Sequence, residues 1–184
     1  MKQRRVLTIL LMLIVAVGVT GLIVHAQERA EKRVDSFAGR VTDNENEFVG
    51  IGINGDDVFI YLCDGDAAEG NVSIAEWFAG KIEDNRIDIT APNGNHVEVD
   101  FQEGLALGKI TLNDGTVKEF TLDQSAGGRL YRSEFTIDET RYVGGWLVLS
   151  DGDVRGAVKN LATGELSPAT FRDFFPVETE LDSE

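Results

Sequence analysis

Two short motifs carry the residues with the clearest capacity for chemistry. Asp64-Gly65-Asp66 and Asp151-Gly152-Asp153 repeat the same acidic turn. Carboxylate oxygens are the ligands that Ca²⁺ prefers, so Asp64, Asp66, Asp151 and Asp153 are the candidate metal ligands. Neither motif continues into the spacing of an EF-hand loop, which a glutamate closes. Because acidic turns are also ordinary hairpin turns, a calcium site and a purely structural turn are both open interpretations.

The sequence gives little support for a catalytic site. Only one histidine, His96, follows the N-terminal region, and no G-x-S-x-G motif accompanies it, so we expect no catalytic triad. The single cysteine, Cys63, is expected to be a buried thiol. A zinc site built from neutral or soft ligands needs several histidines or cysteines, and one of each cannot complete it. Glu76-Trp77 would suit a glycoside hydrolase, in which two carboxylates flank the cleaved bond. We therefore expect no catalytic residue and no cofactor, with a carboxylate-based hydrolase as the alternative.

The apolar N-terminus predicts the cellular location of the protein. Lys2, Arg4 and Arg5 precede an uncharged apolar run at residues 6–24. As a helix this run spans roughly 28 Å, about the thickness of a hydrocarbon core. The basic flank stays in the cytoplasm, which predicts a single-pass protein of the cell membrane with an extracytoplasmic C-terminal domain. The alternative is a signal peptide that is cleaved near Ala26 and releases a secreted protein.

The remainder of the chain is strongly acidic. Three of the 17 basic residues lie in the N-terminal flank, whereas all 32 acidic residues follow residue 26. Residues 27–184 therefore carry a formal charge of −18, which repels nucleic acid and anionic lipid. We expect no nucleic-acid partner, and contact with the membrane only through the N-terminal helix.

From residue 37 onward, short β-prone runs alternate with turn residues. Residues 58–63 (VFIYLC) are almost wholly apolar, which indicates a strand buried on both faces or at the centre of the core. Residues 87–89 and 97–101 alternate between apolar and polar, which indicates strands with one face in water. Residues 131–137 and 146–149 indicate two more strands. The aromatic residues predicted to fill the core are Tyr61, Trp77, Tyr131 and Trp146.

Turn signals and a repeat organise these strands. Hairpin-type Asn-Gly or Asp-Gly dipeptides begin at Asn54, Asp64, Asn93, Asp114 and Asp151. Residues 37–44 (FAGRVTDN) closely match residues 78–85 (FAGKIEDN), and residues 108–114 are a looser third copy. The glycine in each copy is predicted to permit the bend or bulge that a barrel corner requires. The body is too short for the blades of a propeller, so a barrel or sandwich is favoured.

These patterns predict an all-β fold. We expect an antiparallel meander that forms a barrel or sandwich of about 8–10 strands, preceded by an N-terminal transmembrane helix. The predicted parts are a signal anchor or signal peptide (1–26), a charged stalk (27–36), a β-domain (37–166) and a C-terminal segment (167–184). In that last segment an aromatic stretch, spaced like a helix that caps the barrel, precedes an acidic disordered tail.

Four short motifs indicate a relationship to known sequences. They are YLCDG at residues 61–65, EWFAG at 76–80, GRLYR at 128–132 and GWLVLSDG at 145–152. In this order they resemble a family of uncharacterised bacterial exported or membrane-anchored proteins that share a Y-x-C-D-G … G-W-x-V-L-x-D-G pattern. The resemblance covers residues 48–158 and implies an envelope location and a β fold. The family has no assigned activity, so the resemblance implies no functional residue.

The sequence as a whole favours a binding function. We expect a non-enzymatic extracytoplasmic β-domain that binds an envelope partner, either a protein or a cell-wall polymer, or a small apolar ligand at a barrel mouth. Two alternatives are a carboxylate-based envelope glycoside hydrolase and a calcium-dependent adhesion or assembly module.

Overall fold

A computed structural model describes residues 35–169, which form twelve β-strands and a short 3₁₀ helix at Gln124–Ala126. The strands are β1 (Asp35–Val41), β2 (Asn44–Asn54), β3 (Asp57–Cys63), β4 (Ala75–Lys81), β5 (Arg86–Thr90), β6 (His96–Gln102), β7 (Leu105–Thr111), β8 (Val117–Asp123), β9 (Arg129–Ile137), β10 (Thr140–Val148), β11 (Val154–Asn160) and β12 (Leu166–Pro168). Within residues 35–169, no helix has the length and apolar character needed to cross a membrane. The predicted transmembrane helix and most of the predicted stalk and C-terminal segment lie outside the described residues.

The first eight strands form one antiparallel sheet that nearly closes into a barrel. Its strand order is β4-β3-β2-β1-β8-β7-β6-β5, so two four-stranded meanders join where β1 pairs with β8. The last four strands form a second antiparallel sheet in the order β12-β11-β10-β9. The predicted all-β, barrel-like fold is confirmed. Residues 35–169 contain twelve strands, more than the expected 8–10, because four of them form a second sheet that packs against the barrel.

The internal repeat lies at the two junctions between the meanders. Gly39 of β1 faces β8, and Gly80 of β4 faces β5. A Cβ at Gly39 would lie 2.9 Å from Leu122, and a Cβ at Gly80 would lie 2.6 Å from Ile89. The pairing of β1 with β2 also shifts register between Arg40 and Val41, close to the glycine at which a bend or bulge was predicted. The repeated glycines therefore let the halves of the barrel approach each other.

The barrel interior is packed with side chains. By strand alternation, every second residue of β1–β8 points inward, and the apolar residues among them form one buried cluster. Its largest fully buried members are Phe78, Ile51, Ile60, Leu62, Ile87, Ile110 and Leu122. A filled interior of this kind leaves the outer surface as the place for ligands.

The second sheet covers the outer face of β1–β4. Phe48, Tyr61 and Cys63 point out of the barrel and pack against Leu147 and Ala157. Strand β3 is thus buried by the barrel core on one side and by the second sheet on the other. The prediction from VFIYLC is confirmed for this strand, apart from the partly exposed Phe59.

Four of the five predicted hairpin turns are present. Gly55, Gly94, Gly115 and Gly152 each adopt a positive φ between consecutive paired strands. The fifth prediction, at Asp64-Gly65, is wrong, because β3 and β4 are joined by a longer loop at residues 64–74. The reason lies in the side chain of Asp64, which binds the far end of that loop.

Candidate functional site

Asp64 holds the 64–74 loop together. Its carboxylate accepts hydrogen bonds from the backbone N–H groups of Ser73 and Ile74, both at 2.9 Å, and from the hydroxyl of Ser73. A carboxylate that accepts several donors of its own loop acts as a structural anchor. The chain therefore travels ten residues before it returns to the barrel, instead of turning at Gly65.

Asp66 orders the start of the same loop and faces an arginine. One of its oxygens accepts the backbone N–H groups of Ala68 at 2.9 Å and Glu69 at 3.2 Å. The other lies 3.5 Å from the guanidinium of Arg155 on β11. Arg155 is mostly buried, with 14% of its side chain exposed. The first acidic motif is thus tied to the second sheet.

The second acidic motif also holds an arginine. Arg40 of β1 donates to Asp151 at 3.0 Å and to Asp153, while the carboxylate of Asp151 accepts the backbone N–H of Asp153 at 3.0 Å. The Asp153 N–H and the Arg40 guanidinium together lower the pKa of Asp151. This motif forms the β10–β11 turn and is tied to the barrel.

The two arginines meet at one buried ring. The guanidinium carbon of Arg40 lies 5.1 Å from the centre of the Phe48 ring, and that of Arg155 lies 4.9 Å from it. Both distances are typical of cation–π contacts. We call Phe48, Arg40, Arg155 and their aspartates the Phe48 cluster. It brings Asp66, Asp151 and Asp153 into one network, whereas Asp64 lies in the adjoining loop.

The arginines of the Phe48 cluster make calcium binding at the predicted site less favourable. Each of the carboxylates of Asp66, Asp151 and Asp153 already forms an ion pair with a guanidinium, and Asp151 and Asp153 share that of Arg40. A Ca²⁺ ion at either motif would have to displace an arginine or bind next to its positive charge, which is unfavourable. The arrangement can therefore join the barrel to the second sheet without a metal ion. Calcium binding by these four residues stays a prediction.

Two cavities flank the pair formed by Asp66 and Arg155. One has a volume of about 660 Å³ and is lined by polar groups of the 64–74 loop, including Asp64 and Glu69. The other has a volume of about 680 Å³ and a more apolar lining, including Ala68 and Val148. Asp66 and Arg155 line both. Cavities of this size match those that bind small molecules or side chains of a partner.

The remaining residues singled out in the sequence have separate positions. Glu76 and Trp77 are consecutive on β4, so their side chains leave opposite faces of the strand. The ring of Trp77 stacks on Tyr61 at 4.3 Å, and the carboxylate of Glu76 lies 3.4 Å from Lys159. The prediction that Cys63 is buried is confirmed, and burial raises the pKa of its thiol to about 11. Among the four aromatics predicted to fill the core, Tyr61 and Trp146 are fully buried, whereas Trp77 and Tyr131 are only partly buried.

The structure also assembles a group that the sequence interpretation missed. His96 lies on the outer face of the barrel beside Asp88 and Glu98, with all three donor atoms within 4.8 Å of one another. The alternation of residues 87–89 and 97–101 already placed Asp88 and Glu98 on that face. The hairpin signal at Asn93 would have paired the two strands, so the group was predictable in principle.

The fold and the cavities define a class: a nearly closed antiparallel barrel that carries a second β-sheet and offers cavities at the junction of the two. Comparisons with known proteins add no relative. No family model matches the chain, and no curated protein or solved structure is significantly similar to it.

Proposed function

We propose that this chain is an extracytoplasmic binding domain of the cell envelope, and that it binds its partner without catalysing a reaction. A helix at residues 6–24 would hold it to the membrane, unless cleavage near Ala26 releases it. The observation that carries the proposal is the pair of cavities beside the 64–74 loop. Because side chains fill the barrel interior, these surface cavities are the better place for a partner than the barrel itself.

The linings of the cavities favour a particular kind of partner. The polar cavity contains the carboxylates of Asp64, Asp66 and Glu69 but the single cation Arg155. The neighbouring cavity offers apolar surface at Ala68 and elsewhere. A partner that presents a basic group beside an apolar one fits both, as a basic segment of an envelope protein does. The net negative charge of the domain would attract such a segment.

Site-specific crosslinking tests this proposal. A photo-crosslinking residue at Ala68, at the rim of the apolar cavity, should capture an envelope polypeptide when the full-length chain is expressed in its native membrane. The same residue at Val117, which is 52% exposed on β8, serves as the matched control. A basic, apolar peptide from the captured protein should then raise the melting temperature of the full-length chain, because it binds only the folded state. Ala68→Arg should abolish that rise, and Val117→Arg should not.

Three outcomes would contradict the proposal. Equal capture at both positions would indicate no specific surface. Turnover of an envelope glycan that is lost in Glu76→Gln would support a hydrolase instead. A rise in melting temperature with millimolar Ca²⁺, lost in Asp151→Asn, would support the calcium-dependent adhesion or assembly module.

A further inference from the structure

The outer face of β5 and β6 carries a rigid group of metal-binding side chains. In the β5–β6 ladder Asp88 lies directly opposite Glu98, and Thr90 lies directly opposite His96. All four side chains therefore leave the same face of a hydrogen-bonded hairpin. Such a ladder fixes the positions of the backbone atoms from which the donors project, so little conformational freedom is lost when a ligand binds.

The separations between donor atoms match a coordination shell. The Nε2 atom of His96 lies 3.5 Å from an Asp88 oxygen and 3.9 Å from a Glu98 oxygen. Bonds of about 2.0–2.1 Å to nitrogen and oxygen place neighbouring ligands about 3.3 Å apart around a tetrahedral ion. Small side-chain rotations would bring the three donors to that spacing.

Thr90 orients the imidazole for this role. Its hydroxyl oxygen lies 2.9 Å from Nδ1 of His96. When Nδ1–H donates to this hydroxyl, the lone pair of Nε2 points toward the two carboxylates. Protein metal sites use this arrangement, in which the ring nitrogen that does not bind the metal donates to an outer partner.

Two cations hold the carboxylate of Glu98, and Arg86 also lies 3.7 Å from an oxygen of Asp88, so a bound metal ion would have to share these oxygens with them. Lys109 donates to one of its oxygens and Arg86 to the other, both at 2.8 Å. Ligating carboxylates are commonly held by such outer hydrogen bonds. Asp88 and Thr90 also line an open surface cavity of about 700 Å³, whose lining does not include His96 or Glu98.

We propose that Asp88, His96 and Glu98 bind one divalent transition-metal ion, and that Zn²⁺ suits their nitrogen and oxygen donors best. Three protein ligands on an exposed sheet face leave at least one coordination position for water or a ligand group. The site lies on the half of the barrel that the second sheet does not cover, and it is independent of the cavities beside the 64–74 loop.

Metal titration of the full-length chain in detergent micelles tests the proposal. Zn²⁺ should bind with one ion per chain by calorimetry, and Co²⁺ should give the visible absorption of a bound ion. His96→Gln and Asp88→Asn should each weaken Zn²⁺ binding at least tenfold. Thr90→Val should weaken it about 10–100-fold, as removal of an outer partner typically does, while circular dichroism stays that of a folded chain.

Two matched variants separate this site from general attraction of cations. Asp100→Asn removes a carboxylate from the same face of β6, and His25→Gln removes the other histidine of the chain. Both should bind Zn²⁺ like the wild type. Absence of saturable Zn²⁺ binding, or undiminished binding by His96→Gln and Asp88→Asn, would overturn the proposal, whatever partner the cavities bind.

Discussion

Replacement of Lys118 by methionine tests an ion pair that lies inside the barrel. By alternation, Lys118 points inward with Phe120 and Leu122, and Glu47 points inward with Val49 and Ile51. The Nζ atom of Lys118 lies 2.6 Å from one oxygen of Glu47, and the second oxygen is buried with no hydrogen-bond partner among the described residues. Lys118→Met would retain most of the apolar stem and leave the Glu47 carboxylate uncompensated.

The expected magnitude follows from the burial of the pair. Removing one partner of a buried ion pair costs about 3–5 kcal/mol. The side chains of Lys118 and Glu47 are still 18% and 12% exposed, so we expect a cost at or just below the lower limit of this range, about 2–3 kcal/mol. In the double variant Lys118→Met/Glu47→Leu both charges are gone. Its stability should return to within about 1 kcal/mol of the wild type.

Urea unfolding of the full-length chain in micelles, followed by tryptophan fluorescence, measures these differences. Lys81→Met is the matched control, because it breaks the Lys81–Asp57 pair at 2.8 Å, whose side chains are 64% and 61% exposed. Exposed pairs contribute little, so its midpoint should stay near that of the wild type. The reasoning would be refuted if Lys118→Met lost no more stability than Lys81→Met, or if the double variant were as unstable as Lys118→Met alone.

Three further predictions concern the junction of the barrel and the second sheet. Arg40→Met should lower the melting temperature near neutral pH. Because Arg40 helps to lower the pKa of Asp151, its contribution is present above the ordinary value of 3.8 and lost as the pH falls through the lowered pKa, so melting curves of variant and wild type should converge in acid. Cys63, buried with a pKa of about 11, should react with a thiol reagent near neutral pH only after urea unfolds the chain, and fast reaction of the folded protein would contradict its burial. Gly65→Ala should cost about 1–3 kcal/mol in urea unfolding, since its Cβ would overlap a carbonyl oxygen of β11. Gly52→Ala, with its nearest neighbour at 3.9 Å, should cost less.

The local features of the fold were readable from the sequence. The run VFIYLC contains too many apolar residues for a strand with one wet face, and β3 is indeed buried on both sides. The alternating residues 87–89 and 97–101 have the opposite character, and their outer faces are in water. Alternation of apolar and polar residues and the residue preferences of turns depend on only a few neighbouring positions. A short segment of sequence is therefore enough to recognise them.

The assembly of these features was not readable, because it depends on distant residues. Barrel closure brings Val41 opposite Phe120, and the second sheet brings Arg40 to Asp151 across 111 positions of the chain. The motif Asp64-Gly65-Asp66 has the form of a hairpin turn, but contacts to Ser73 and Ile74 decide its structure. The arginine partners of the acidic motifs were missed for the same reason. No local pattern specifies which cation faces which turn.

The two halves of the barrel, β1–β4 and β5–β8, have different outer surfaces. Both halves point apolar residues inward, and the repeated glycines lie where they meet. On the outside, β2 and β3 present Phe48, Tyr61 and Cys63, which bury against the second sheet. The corresponding face of β5 and β6 presents Asp88, His96 and Glu98, which stay at the surface. A strand pattern that keeps the barrel intact therefore leaves the outer positions free to differ. For this reason we expect substitutions of Asp88 or His96 to change ligand binding with little effect on unfolding. Substitutions of Phe48 should instead lower the stability to unfolding, because they weaken the packing of the second sheet on the barrel, and they should have little effect on ligand binding at Asp88 and His96.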